Sequence, residues 1–261
     1  MKIVVCIKQV PDTVDVKINP KTNNIDRDGV KSVINPFDLN AIEEALRLKE
    51  TYGGEVAVVT MGPPQGRKAL KKALAMGCDH GYLISDRALG GADTLATGYP
   101  LAKAIEKIGN VDLIFCGRQA VDADTGQTGP IVAEFLDIPQ VTFASEIKMD
   151  GDHAIVTRLL ERSTQKVKVK LPALITTTKE LNEPRFATAM SIMQSAKKEI
   201  TVWNSQDIEC DPNRIGLKGS PSRVLSIFPP QHKTGNTVYL EGSTEEIAQQ
   251  IMNVLEEHKA I

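Results

Sequence analysis

Cysteine is scarce and scattered in this 261-residue chain: Cys6, Cys78, Cys116 and Cys210 form no CxxC pair. Such spacing argues against a disulfide framework, a zinc ribbon or an iron–sulfur cluster. The first three thiols sit in or beside apolar strand-like runs, where a thiol packs as a small hydrophobe. Four dispersed histidines, His80, His153, His232 and His258, make no HExxH and no His–Cys cluster, so no metal site is expected. Long apolar runs are absent too. Nothing reaches the about 18 to 20 residues that cross a bilayer, and Met1-Lys2-Ile3-Val4-Val5 enters a strand with no signal-peptide pattern, so no membrane insertion and a cytoplasmic location are expected. A formal net charge of -2 supplies no general field for nucleic acid.

The familiar phosphate and nucleophile signatures are missing as well. Ile7-Lys8-Gln9-Val10-Pro11 stands where a GxGxxG would follow the first strand, and no GxSxG occurs. Gly62-Pro63-Pro64-Gln65-Gly66-Arg67-Lys68 has the wrong spacing for a P-loop, lacks Ser or Thr after Lys68, and loses two backbone donors to proline. Asp122 and Asp124 have no histidine near them and read as solvated loop acids. No catalytic acid or base stands out.

What is present is alternation. With 41% hydrophobic and 25% charged residues the composition is that of a globular protein. Strand-like runs over Lys2–Val10, Glu55–Met61, Gly81–Ser85 and Val111–Cys116 alternate with helix-period segments over Asp38–Thr51, Arg67–Met76, Asp93–Ile108 and Pro130–Leu136. This pattern predicts an α/β fold with a mostly parallel, doubly wound sheet. From about Gln140, four strand-like runs separated by polar turns (Val141–Lys148, Ala154–Leu160, Gln165–Leu171, Leu174–Thr178) predict an antiparallel extension. Beyond Leu181 the order signal weakens, and Pro212–Thr234, with four prolines, reads as an extended arm. The chain closes on a helix opened by the capping-box spacing Ser243-Thr244-Glu245-Glu246. The expected organisation is a nucleotide-binding domain over residues 1–200 and a C-terminal arm and helix over 201–261, the helix either docking on a partner subunit or packing on its own domain.

In such sheets ligands lie beyond the carboxyl ends of the strands, which directs attention to the loops after Val10, Met61, Ser85 and Cys116. The richest is Gly117-Arg118-Gln119-Ala120-Val121-Asp122-Ala123-Asp124-Thr125-Gly126-Gln127-Thr128-Gly129. It enters a helix, so backbone N–H groups can face an anion, with Arg118 as a cation and Thr125, Gln127 and Thr128 as neutral donors. A phosphate or pyrophosphate fits there; so does a plain helix cap with solvated acids. A second loop, Gly90-Gly91-Ala92-Asp93-Thr94-Leu95-Ala96-Thr97, also begins a helix. Thr94 and Thr97 share a helix face and can offer two hydroxyls, while Asp93 suits a cap. In Asn35-Pro36-Phe37-Asp38, Asp38 can cap the next helix and Asn35 can reach an adenine or ribose; structural punctuation is the alternative. These features describe a nucleotide-binding α/β protein.

Five blocks carry a more specific signal: Val4-Val5-Cys6-Ile7-Lys8; Asp28-Gly29-Val30-Lys31 through Asn35-Pro36-Phe37; Ala73-Leu74-Ala75-Met76-Gly77; Gly117-Arg118-Gln119-Ala120 through Gln127-Thr128-Gly129; and Leu181-Asn182-Glu183-Pro184-Arg185-Phe186-Ala187-Thr188. In this order and spacing the chain resembles the β subunits of electron-transfer flavoproteins over nearly its whole length. The resemblance implies an α subunit carrying FAD, and a β-subunit pocket for AMP or a second FAD on Cys6, Asn35, Pro36, Phe37, Asp38, Met61 and the loop from Gly117 to Gly129. The segment Gly90–Thr97 resembles the electron-bifurcating type. That implies bound FAD at Thr94 and Thr97, Arg118 beside it, NADH as donor, and electrons divided between ferredoxin and, through the α-subunit FAD, a dehydrogenase. The alternative is a non-bifurcating carrier with structural AMP.

The implied partner-recognition segment is about Asn182–Lys198. Ala189-Met190 replaces the Leu-Pro pair that many members use on acyl-CoA dehydrogenases, leaving an acyl-CoA dehydrogenase or reductase and a lactate-type dehydrogenase both open as partners. A second departure, Glu161-Arg162-Ser163, falls in a hairpin turn.

Overall fold

The computed structural model describes residues 1–12, 17–19, 24–26, 32–225 and 237–260, and Asp28-Gly29-Val30-Lys31 lies outside them. Two compact units are present, Met1–Ser226 and Ile227–Ile261. The first is built on β1 (Lys2–Cys6), whose side chains alternate between two cores. Ile3 and Val5 face one way, with α1 (Pro36–Tyr52) and α2 (Arg67–Met76); Val4 and Cys6 face the other, with α3 (Thr94–Ile108) and α4 (Thr128–Phe135). A strand covered on both faces must be apolar at every position, which is why Ile-Val-Val-Cys reads as a continuous run.

Before α1 the chain makes two short antiparallel pairs. β2 (Gln9–Pro11) pairs with β5 (Ser32–Ile34), and β3 (Lys17–Asn19) pairs with β4 (Asn24–Asp26). Next come β6 (Glu55–Met61), β7 (His80–Ile84) and β8 (Leu113–Gly117), alternating with α2, α3 and α4 as expected. The main sheet has nine strands in the order β11-β10-β9-β12-β8-β1-β6-β7-β13, with β9 (Gln140–Asp150), β10 (His153–Leu159), β11 (Thr164–Lys170), β12 (Ala173–Thr177) and β13 (Ile200–Trp203). From β1 the chain adds β6 and β7 on one side, then β8 and β12 on the other. The strand order therefore reverses between β1 and β8, and a crevice opens at their carboxyl ends.

The antiparallel extension is realised by β9, β10 and β11. The fourth run corrects the expectation: β12 returns between β8 and β9, parallel to both. All five of its residues are buried, whereas β9 and β11 each expose several residues to solvent. A strand with no solvated face belongs inside the parallel sheet. Two elements follow where the order signal weakens, α5 (Ala189–Ser195) and the edge strand β13. Past them, Ile208 and Ile215 join the α3/α4 core, and α6 (Gly216–Gly219) follows.

The segment before α5 is pinned to α1. Arg185 Nε donates to Glu43 Oε2 at 2.8 Å and its guanidinium also pairs with Glu50, while Asn182 Nδ2 donates to Glu44 Oε2 at 3.1 Å. Burial pushes the Glu43 carboxyl up, but bonds from Arg185 and Arg47 overcome this and leave it below the ordinary range. Arg185→Ala leaves a buried carboxylate with one partner fewer. Because the arginine is 33% exposed, the expected cost is about 1–2 kcal/mol, read as a lower urea midpoint. Faster tryptic cleavage near Lys197 should accompany it; an unchanged midpoint would show that water replaces the pair.

The second unit contains α7 (Thr244–Glu257), and its described residues are 237–260. Its capping box is complete: Ser243 Oγ accepts from Glu246 N, and Glu246 Oε2 accepts from Ser243 N at 2.7 Å. Ile251, Met252 and Val254 are exposed on it. Among the described residues no helix is long and apolar enough to cross a membrane, and no cluster of His, Cys, Asp and Glu could hold a metal ion.

Candidate nucleotide site

The site is assembled by one buried carboxylate. Asp38, in the first turn of α1, accepts from Lys8 N (2.6 Å) after β1, from Gly117 N (3.2 Å) at the end of β8, and from Asn35 Nδ2 (2.9 Å). It therefore ties the two central strands to α1 across the crevice. Burial pushes its pKa up to about 7, against the pull of those three donors and of Lys8.

Asn35 extends the clasp. Its amide donates to Gln119 O (2.8 Å) and its carbonyl accepts from Val121 N (3.1 Å). With both ends of the side chain engaged, Asn35 shapes the loop Gly117–Gly129. Pro36, at the first turn of α1, supplies the fixed φ that starts the helix. Lys8 Nζ reaches Asp122 Oδ1 at 2.7 Å, and Gln119 Nε2 donates to Asp124. Asp122 and Asp124 are thus paired within the loop, and Asp124 and Gly126 hold it in the left-handed region at φ 55° and 63°.

At the end of this loop no side chain caps α4, which leaves the N–H groups of Thr128 and Gly129 without a capping side chain, the condition that favours an anion. Gly129 brings that turn onto β12: a Cβ there would stand 2.8 Å from Thr176 Cγ2. Thr177 Oγ1 donates to Phe37 O at 3.1 Å and fixes the start of α1 from the other side. Arg118 lies with its guanidinium carbon 5.1 Å from the Phe37 ring centre, and its Nε donates to Gln119 Oε1 at 2.8 Å. Ala120 O accepts from Asp124 N at 2.8 Å, and Val121, Ala123, Thr125, Gly126 and Gln127 are exposed.

The second loop divides. Thr94 Oγ1 donates to Gln127 Oε1 at 2.9 Å, which joins the start of α3 to the loop after β8; Thr97, half-buried, follows on the same face. Gly90, Gly91, Ala92 and Asp93 turn to the segment after β13 instead. Asp93 caps α3 through Ala96 N (3.0 Å) and also accepts from Ser222 N (3.1 Å) and Ser222 Oγ (2.7 Å). A Cβ on Gly91 would come within 2.8 Å of Leu217, so that glycine seats α6. Cys6 is buried at the end of β1 opposite Cys116, where their thiol contact and burial raise the Cys116 pKa; Met61 ends β6, partly buried. Neither donates a hydrogen bond into the loop.

Three contributors escaped the sequence reading. Lys8 and Thr177 act through partners more than 100 residues away, and no spacing rule reveals them. Phe143 packs on Arg118 from β9, where no motif in the run Val141-Thr142-Phe143-Ala144 singles it out. A cavity lined by Met1, Tyr52, Asp112, Leu171 and Pro172 lies at the opposite end of the sheet, where the parallel strands begin, and takes no part in this constellation.

The arrangement is a cradle: the uncapped start of α4, Arg118 and Thr94 meet at the loop that follows β8. It suits holding a phosphorylated ligand. The comparisons with known proteins agree with that architecture. A family model described as "Electron transfer flavoprotein domain" matches residues 22–208. The "Electron transfer flavoprotein subunit beta" of Thermoanaerobacterium thermosaccharolyticum is 47% identical over 262 aligned positions, covering 100% of both chains. "Caffeyl-CoA reductase-Etf complex subunit CarD" of Acetobacterium woodii is 46% identical, again over 100% of both. "Acryloyl-CoA reductase electron transfer subunit gamma" of Anaerotignum propionicum is 43% identical over 98% of each. Matches of this extent, on a fold whose loops meet at one phosphate-suited crevice, show that the chain belongs to the electron transfer flavoprotein β-subunit family.

Proposed function

We propose that this chain carries electrons as the β-type subunit of a two-subunit flavoprotein and holds an adenine nucleotide in the crevice between β1 and β8. The observation that carries the reading is the convergence of the uncapped α4 terminus, Arg118 and the Asn35–Asp38 clasp on one loop. In the plainer form the ligand is AMP and its role is structural. The relatives' names state electron transfer, which both forms share, and go no further toward either.

A fuller form is supported by one contact, the Thr94–Gln127 bond that brings a second helix terminus to the anion loop. AMP ends at one phosphate, whereas FAD needs donors for a second phosphate, a ribityl chain and a ring; Thr94 and Thr97 extend the cradle in that sense. When bound, FAD supplies hydride acceptance from NADH and electron transfer to ferredoxin and, through the α-subunit FAD, to a partner dehydrogenase. The chain's own residues bind, orient and shield. Two relatives' names include an unsaturated acyl-CoA reductase, which favours such a partner here over a lactate-type dehydrogenase. The exposed apolar residues of α7 suit docking on the α subunit.

The test is to co-purify the chain with its α subunit, release ligands in acid, and quantify FAD and AMP. Two FAD per heterodimer with little AMP supports the fuller form; one FAD with one AMP excludes it and supports the plainer one; neither flavin nor AMP would end both. In the fuller form, Thr94→Val with Thr97→Val should lower FAD retention in this subunit several-fold. Unchanged flavin content and NADH oxidation would reduce the segment to a helix cap.

A further inference from the structure

Between Val141 and Ala144 the strand β9 loses register with β12. Val141 pairs with Ile175 and Ala144 with Thr177, so Thr142 and Phe143 together oppose the single residue Thr176. This is a bulge, a device that re-aims side chains and recurs beside functional sites. Phe143 sits in it at φ 62°, a conformation that a bulky residue adopts only at a cost. The surroundings enforce it. Thr176 Oγ1 accepts from Phe143 N at 3.1 Å, replacing the lost ladder partner, and Arg158 Nη2 donates to Thr142 Oγ1 at 2.7 Å from the neighbouring strand. Glycine would meet the backbone requirement without strain, so packing of the backbone does not account for an aromatic ring that is 38% exposed.

The ring packs on one guanidinium among the described residues. The Arg118 guanidinium carbon is 5.5 Å from the Phe143 ring centre and 5.1 Å from that of Phe37, so two aromatic faces, one from β9 and one from α1, pack on it. Arg118 Nε is engaged by Gln119 Oε1; among the described residues no carboxylate or carbonyl engages its Nη groups. A long arginine otherwise free to swing is thereby held at the mouth of the loop Gly117–Gly129, and holding a side chain in its binding orientation lowers the ordering cost of association.

We propose that Phe143 is a positioning residue of the nucleotide site: presented by the β9 bulge, it closes with Phe37 on Arg118 and fixes the direction in which the Nη donors meet an anionic ligand. This rests on reading the crevice as an anion site. The ligand feature addressed is the phosphate or diphosphate of an adenine nucleotide. Because the contact requires an aromatic face, tyrosine preserves it, while glycine removes it and simultaneously relieves the backbone.

The experiment uses the complex with the α subunit, stripped of the ligand held by this subunit, and measures ADP binding by calorimetry alongside thermal stability. Phe143→Gly should bind ADP about tenfold more weakly, the size of a partly desolvated cation–π contact, while its melting temperature stays level or rises. Phe143→Tyr should bind like the parent. In the Arg118→Gln background, Phe143→Gly should weaken binding no further. A glycine variant with parental affinity, or one whose loss persists undiminished in the Arg118→Gln background, overturns the clamp and leaves the anion-site reading standing. An Arg118→Gln variant that binds ADP as tightly as the parent overturns that reading, and the clamp with it.

Discussion

Gly117→Ala is expected to collapse the proposed nucleotide site and to destabilise the first unit by about 3 kcal/mol, the range of overpacking in a closed core. The residue ends β8 where α1 begins to cross the crevice. An added Cβ would overlap Asp38 Oδ1 and stand 2.8 Å from Phe37 Cβ and 2.9 Å from Asp38 N. None of these is the loose end of a flexible chain. Asp38 is held by Lys8 N and Asn35, and Phe37 O by Thr177, so the clash cannot be relieved without opening the clasp. Because the same clasp fixes Gln119 and Val121, loss of nucleotide should accompany loss of stability. Gly62→Ala is the control, since no atom lies within 4 Å of its built Cβ. Urea midpoints and retained nucleotide would be measured on both; a Gly117→Ala protein that keeps its nucleotide at parental stability would refute the clasp as the organiser of the site.

The contrast between what could and could not be read in the chain follows from the range of the interactions. Glu55–Met61 and Arg67–Met76 form where periodicity places them, because strand and helix patterning is local. The loops likewise gather where topology requires. β12 lies inside the parallel sheet although the two turns before it resemble hairpin turns, and Ala-Leu-Ile-Thr-Thr, buried throughout, differs from the partly exposed β9. β13 was missed for a different reason: four residues on a sheet edge, two of them exposed, carry almost no pattern. Within the site, glycines and threonines were legible as residue types suited to phosphate. Their division of labour was not. Whether Asp93 serves a ligand or caps α3, and whether Asn35 meets an adenine or holds Gln119, depends on partners over 80 residues away or on a serine in a later segment.

The second large effect concerns pH. Asp38 ionises near 3.8 when exposed, and burial in the fold raises it to about 7. Between these values the folded chain holds a proton that the unfolded chain has released, so stability falls as pH rises. The contribution of the neutral acid is complete below about pH 4 and gone once pH passes about 7, a span that corresponds to up to about 4 kcal/mol. Asp38→Asn cannot release a proton and should lack this slope. Its amide also points a donor at Lys8 N, Gly117 N or Asn35 Nδ2, which lowers stability at every pH without changing the slope. Subtracting the variant from the parent removes groups such as Glu43, whose lowered pKa makes stability fall toward acid instead. Urea unfolding at pH 5, 6, 7 and 8 would give the difference curve. It should decline through pH 7 and then level. Parallel curves would mean that three donors outweigh burial and keep Asp38 ionised, and the carboxylate would then be a permanent negative charge beneath the anion loop. A declining curve has a functional corollary: an anion arriving above Asp38 raises its pKa further, so nucleotide binding near neutral pH should take up protons, and Asp38→Asn should abolish that uptake.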